Sequence, residues 1–151
     1  NIDVAKAKDF IDSYFKRYPK VKDCLDGMIA EARQNGFVTT ILGRRRYIPE
    51  INSPDMRMKQ FAERTAINAP VQGSAADIIK VAMIRCHERL SREFPGSRLV
   101  LQVHDELVFE APEEQAPAVR DAMVEEMVAA FPMEPPLGVD AGVGADWLSA
   151  K

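Results

Sequence analysis

Residues 104–106 read His-Asp-Glu, and runs of apolar residues flank them on both sides. Leu99, Leu101 and Val103 alternate with Val100 and Gln102 before the corner, and Leu107, Phe109 and Ala111 alternate with Val108 and Glu110 after it. That period of two predicts a hairpin of two strands with the acids at its tip. Tight hairpins usually turn on glycine, because their central residues need positive φ. No glycine is present here, but His and Asp are among the few other types enriched at positive φ. Carboxylates on a rigid corner suit a divalent metal, which takes oxygen ligands. The plainer reading of the same residues is a solvated turn that carries acids.

A second set of residues lies upstream. Arg64, Asn68 and Gln72 are spaced by four, so a helix would place them on one face, with Pro70 bending or restarting it between them. All three donate hydrogen bonds. Every Watson–Crick pair offers acceptors in the minor groove at purine N3 and pyrimidine O2, so such a ladder can test pair geometry without reading sequence. Gly73, Ser74, Ala75 and Ala76 follow, and small residues admit a close backbone or ligand. Arg44, Arg45, Arg46 and Tyr47 lie at or beside a turn, with Arg57 and Lys59 extending the basic surface. Guanidiniums suit phosphates and a ring can stack on a base. The plainer readings are an exposed polar stripe, and a solvated basic loop with Tyr47 in the core.

Composition sets bounds on both readings. The 151 residues suffice for one domain or a piece of a larger one, and 46% hydrophobic content supports a core. No run of about 18 apolar residues occurs, so no transmembrane helix and no membrane partner are expected. Cys24 and Cys86 stand far apart without a metal-binding pattern, which points to reduced thiols in a cytoplasm. The chain begins Asn-Ile-Asp without a Met, as expected of a segment cut from something longer. The net charge of −3 argues against nucleic acid, but its distribution does not. Residues 1–100 carry 18 Lys/Arg against 12 Asp/Glu, whereas residues 101–151 carry 2 against 11. One part suits a polyanion and the other suits cations or solvent.

The elements that would position these residues follow from periodicity and breakers. Residues 4–17 predict a helix with Asp3 as N-cap. Pro19 opens a second over about 19–34, closed by Asn35-Gly36. A short strand over 37–42 turns at Gly43 and returns at 46–48. Residues 55 to about 68 predict a helix, and a longer one runs from near Pro70 to 93, ended by Pro95-Gly96. The 99–111 hairpin comes next. Pro112 opens a helix to about 130, and 137–143 predict a last strand. Asp77 reads as a helix-start charge or one paired to a base, and Trp147 as a packing anchor near the terminus. Strands and helices are segregated, which favours α+β with three short strands near the C-terminus backed by two long helices.

Three ordered motifs carry a resemblance: Gly43-Arg-Arg-Arg-Tyr-Ile-Pro49, then Glu63-Arg-Thr-Ala-Ile-Asn-Ala-Pro-Val-Gln-Gly-Ser-Ala-Ala-Asp-Ile-Ile-Lys80, then Gln102-Val-His-Asp-Glu106. Together with the ending Gly144-Ala-Asp-Trp-Leu-Ser-Ala-Lys151, they closely resemble the family A DNA polymerases, the bacterial DNA polymerase I type. The resemblance implies a fold of helical fingers segments, residues 1–71, followed by most of a palm, residues 72–151. In that palm a small antiparallel sheet with a catalytic hairpin packs on long helices. It implies DNA-directed DNA synthesis in replication and repair, in which a primer 3′-hydroxyl attacks the α-phosphate of a dNTP and pyrophosphate leaves. Asp105 would be the metal-binding catalytic carboxylate and Glu106 its acidic partner. His104 would lie near the primer terminus, and Arg64, Asn68, Gln72 and Arg46 would contact primer–template DNA. Two Mg²⁺ ions are implied, with Mn²⁺ as a substitute, and so is a bacterial, nucleoid-associated setting. The second metal-binding Asp and the fingers helix that holds the triphosphate are missing. The N-terminal remainder of a polymerase is therefore an expected partner, without which the chain is inactive.

Two other function classes fit the residues. A non-catalytic DNA-binding or structural fragment of such a polymerase would keep the ladder and leave Asp105 a turn residue. A metal-dependent nuclease would need further acids, with Glu110 and Asp140 as candidates by their place near the sheet.

Overall fold

The computed structural model describes residues 3–150. Asn1, Ile2 and Lys151, the ends of the two expected segments, lie outside them. The fold is α+β, and the described residues form four α-helices and two separate two-stranded antiparallel sheets, as the segregation of strands and helices predicts. Contacts divide the chain into two compact units, one ending at Ser74 and the other beginning at Ala75.

In the first unit, α1 (Val4–Arg17) is capped by Asp3, whose side chain accepts from the Ala5 N–H at 3.2 Å. α2 (Pro19–Asn35) starts on proline and ends at Gly36, whose φ of 75° is the left-handed conformation glycine adopts without strain. β1 (Phe37–Thr39) pairs with β2 (Arg45–Tyr47), with Val38 opposite Arg46. β1 is shorter than expected because Thr40 leaves the ladder. Its N–H donates to the Arg44 carbonyl, and its own carbonyl accepts from Gly43, closing a turn over 40–44. A 3₁₀ turn (Pro49–Asn52) leads to α3 (Met56–Glu93). The core of this unit gathers Ala32, Val38, Ile48, Ile51, Ala62 and Ala66.

α3 corrects the expected restart at Pro70: one continuous helix of 38 residues contains it. The ring removes one backbone donor. Pro70 nevertheless follows Ala62 and Ala66 on the buried stripe, so packing holds the helix where local propensity would end it. Asp77 accordingly sits mid-helix rather than at a helix start, and it is buried and partnered.

In the second unit, β3 (Arg98–Val103) pairs with β4 (Glu106–Glu110), and α4 (Ala116–Val128) follows. α4 begins after a turn over 112–116 rather than at Pro112 itself. The core joins Cys86 and Leu90 of α3 to Val119, Ala122 and Met123 of α4, with Leu107 and Phe109 of β4 packed on it. The expected third strand is not formed among the described residues: 137–143 makes no ladder. Three glycines, 138, 142 and 144, lie in or beside this segment, and glycine weakens a strand that has no side chains to pack.

Candidate active site and nucleic-acid interface

The hairpin forms, but its faces differ from a simple alternation. Leu99 lies opposite Phe109 and Leu101 opposite Val108, so Val100 is an extra residue on β3. This bulge moves Leu101 and Val103 to the face opposite that of Leu99. It also pairs Val103 with Glu106, which leaves only His104 and Asp105 in the loop. His104 takes the strain, with φ at 53°, and it is the one non-glycine residue at positive φ among the described residues. Positive φ at the first loop position alone is the sign pattern of a II′ turn, which ordinarily places glycine there. The amide of Gln102 donates to the His104 carbonyl at 2.5 Å. That carbonyl belongs to the peptide between His104 and Asp105, so the bond fixes the plane from which the Asp105 side chain departs. Gln102 carried no role in the sequence; the signal was a lone amide two residues before a polar corner.

Asp105 and Glu106 are exposed. Both line a groove of about 1100 Å³ walled by β4, α4 and the segment around 138–150, including Asp140 and Trp147. The Asp105 carboxylate has no hydrogen bond or ion pair among the described residues, while Glu106 is engaged. No three metal-ligating side chains converge among the described residues. Glu110 lies at the open end of the hairpin, where it pairs with Arg98 at 2.6 Å. Further along the same wall, the Ser149 backbone N–H and hydroxyl hold the Asp146 carboxyl below the usual carboxylate range.

Arg64, Asn68 and Gln72 share one exposed face of α3, two positions out of step with the buried Ala62, Ala66 and Pro70. The ladder and the acidic corner lie in different compact units. Of the three adjacent arginines, Arg44 does not reach outward as expected: its guanidinium donates to the Gly73 carbonyl at 3.1 Å. Beside it, the Ile41 N–H donates to the Ser74 hydroxyl at 2.8 Å. The small residues after the ladder thus admit the 40–44 turn. The Arg45 guanidinium lies 4.7 Å from the centre of the Phe37 ring. Arg46 is exposed, and so is Tyr47 at 65%, which sets aside the plainer of the two readings, Tyr47 in the core. Arg46, Tyr47, Arg57, Met58 and Phe61 share a second groove. Phe61 and Met58 went unnoticed in the sequence; the signal was apolar residues on α3 beyond those its buried stripe needs.

The family model for DNA polymerase family A matches residues 1–149. The chain belongs to the family A DNA polymerases. It is 46% identical to the thermostable DNA polymerase I of Thermus thermophilus over all 151 residues, and 48% identical to DNA polymerase I of Geobacillus stearothermophilus. It spans only 18% and 17% of those relatives' lengths. Among solved structures, it matches the POL domain of Pol1 from M. smegmatis, in complex with DNA primer-template and dNTP, at a TM-score of 0.94. The two are 43% identical, and the match covers 99% of this chain and 26% of that one. No helix among the described residues is long and apolar enough to cross a membrane.

Proposed function

We propose that this chain is the C-terminal part of a DNA-directed DNA polymerase that extends a primer 3′-hydroxyl with dNTPs on a template. Residues 1–71 complete the fingers and 72–151 form most of the palm. The observation that carries the reading is the Asp105 carboxylate, exposed and without a hydrogen bond or ion pair among the described residues, on a strained two-residue corner at the edge of a groove. Strain retained at a non-glycine corner is a mark of functional geometry.

A hard carboxylate oxygen that no other described residue engages fits Mg²⁺, and Mn²⁺ in its place. When bound, two such ions would activate the attacking hydroxyl and neutralise the leaving pyrophosphate. Asp105 is one donor to them, Glu106 is its acidic partner, and the N-terminal remainder of the polymerase supplies the rest. His104 lies near the primer terminus. Arg64, Asn68 and Gln72 donate into the minor groove of primer–template DNA, and Arg46 holds phosphate. The setting is replication and repair in a bacterial cytoplasm.

In the whole polymerase, Asp105→Asn keeps the shape of the side chain and removes its charge. Primer extension is expected to fall by several orders of magnitude, with primer–template affinity near normal. Normal extension would leave Asp105 a turn residue and end the catalytic reading.

A further inference from the structure

The polar ladder of α3 is held least firmly by its own helix near its last rung. Pro70 has no N–H, so the Ala66 carbonyl loses the donor four residues on. Gly73 follows, and glycine lowers helix propensity further. Gln72 stands between the two. An outside support meets α3 at that point. The turn over 40–44 is closed on itself: the Thr40 N–H donates to the Arg44 carbonyl at 2.9 Å, the Gly43 N–H to the Thr40 carbonyl at 2.8 Å, and the Arg44 N–H to the Thr40 hydroxyl at 3.1 Å. Thr40 is buried, and its Cγ2 stands 2.5 Å from where a Cβ on Gly73 would lie, so the turn sits directly on the glycine. Two bonds then join turn to helix. The Arg44 guanidinium donates to the Gly73 carbonyl at 3.1 Å, and the Ile41 N–H donates to the Ser74 hydroxyl at 2.8 Å. Both acceptors directly follow Gln72 in the chain, and all of these residues belong to the first compact unit.

Four residues of helix advance about 6 Å, so Asn68 and Gln72 meet the acceptors of different base pairs. A hydrogen bond to a purine N3 or a pyrimidine O2 needs its donor within about 3.2 Å. A rung displaced by about 1 Å therefore loses its acceptor. We propose that Arg44, assisted by Ser74, is a positioning residue for Gln72: the closed turn grips α3 just past its proline and sets where this rung enters the minor groove. Asn68 lies before the proline and is aimed without that grip. The inference rests on the polymerase reading above and adds what aims one of its contacts to DNA.

The test uses the whole polymerase and a set of primer–templates, each with the N3 of one purine replaced by carbon. At the pair that Gln72 meets, this replacement is expected to slow extension by roughly tenfold, the loss of one good hydrogen bond. Gln72→Ala identifies that pair, because it is indifferent to the replacement there. Arg44→Met and Ser74→Ala are expected to be indifferent at the same pair and to keep the full response at the pair met by Asn68. Ser74→Ala changes no charge and keeps the test open should Arg44→Met fail to fold. A full response at the Gln72 pair in Arg44→Met, or in Ser74→Ala where only that variant folds, would overturn the proposal. So would indifference at the Asn68 pair as well, which would mean that the turn only holds the unit together. An equal fall in affinity for every DNA, with a salt dependence lower by about one ion, would make Arg44 a phosphate contact and overturn it too. The readings beneath it fail separately. Gln72→Ala responding at every pair ends the ladder, and normal extension by Asp105→Asn ends the polymerase reading, whereas an indifferent Gln72→Ala beside a responsive Arg44→Met sinks the positioning role alone.

Discussion

Gly73 has no room for a side chain. A Cβ there would lie 2.5 Å from the Thr40 Cγ2 and 3.3 Å from an Arg44 guanidinium nitrogen. Thr40 is itself buried, and its hydroxyl accepts from the Arg44 N–H, so the turn cannot easily retreat. Gly73→Ala is therefore expected to destabilise the protein by about 1–3 kcal/mol, the usual cost of overpacking, read as a lower urea midpoint. An unchanged midpoint would mean that the 40–44 turn yields freely. The two cysteines differ as sharply. Cys86 is fully buried, and burial pushes its thiol up to about 11, while Cys24 is exposed. Maleimide labelling followed by peptide mass spectrometry should modify Cys24 within minutes at neutral pH and Cys86 only after denaturation. The residue types at the acidic corner and the ladder were legible because each carries its chemistry in its own side chain. The Arg44 contact was not, since a basic residue in a turn reads the same whether it meets phosphate or a carbonyl 29 residues away.

Helices whose ends are set locally were legible from sequence: Asp3, Pro19 and Gly36 fix the bounds of α1 and α2 through their own backbone or side-chain chemistry. Elements decided by partners were not. Pro70 continues α3 because its neighbours on the helix are buried, the Val100 bulge exists only in the pairing of β3 with β4, and 137–143 has strand-like residues without a ladder. The same distinction governs how the elements of the second unit hold. Arg89 of α3 donates to Glu93 on its own helix and to Glu125, Glu126 and the Ala122 carbonyl of α4. Bonds to Glu125 and Glu93 hold its guanidinium above its ordinary range. Lysine cannot reproduce that fork, so Arg89→Lys should lower the thermal midpoint nearly as far as Arg89→Ala does. The turn over 146–149 is expected to respond to acid instead. Ser149 lowers the Asp146 carboxyl in the folded state, so the turn is stabilised above the ordinary carboxylate value and loses that support as pH falls through the lower folded value. Trp147, the single tryptophan, reports on it. Its emission should stay constant from pH 8 to about pH 5 and change only below about pH 4, and Asp146→Asn should remove that step.

At the scale of the whole molecule, the chain presents an apolar helix face and an acidic corner to its surroundings. α1 buries none of its side chains, leaving Phe10 69%, Ile11 56% and Tyr14 50% exposed on one helix. Apolar faces of that kind mark contact surfaces. The acidic corner offers one carboxylate, that of Asp105, with no partner among the described residues, and the proposed two-metal chemistry would need a set of ligands. Both features point the same way. The relatives are more than five times as long, and this chain spans under a fifth of their length. The purified 151-residue chain should therefore bind an apolar dye such as ANS, and it should leave a primer–template unextended at any Mg²⁺ or Mn²⁺ concentration. Mixing it with the separately expressed N-terminal remainder of a family A polymerase should restore template-dependent extension and quench the dye together, because one docking event covers α1 and completes the ligand set. Dye quenching without extension would separate the docking face from the acidic corner. Extension by the 151 residues alone would show that the donors needed for catalysis lie within them, and the two-part account of the site would then be wrong.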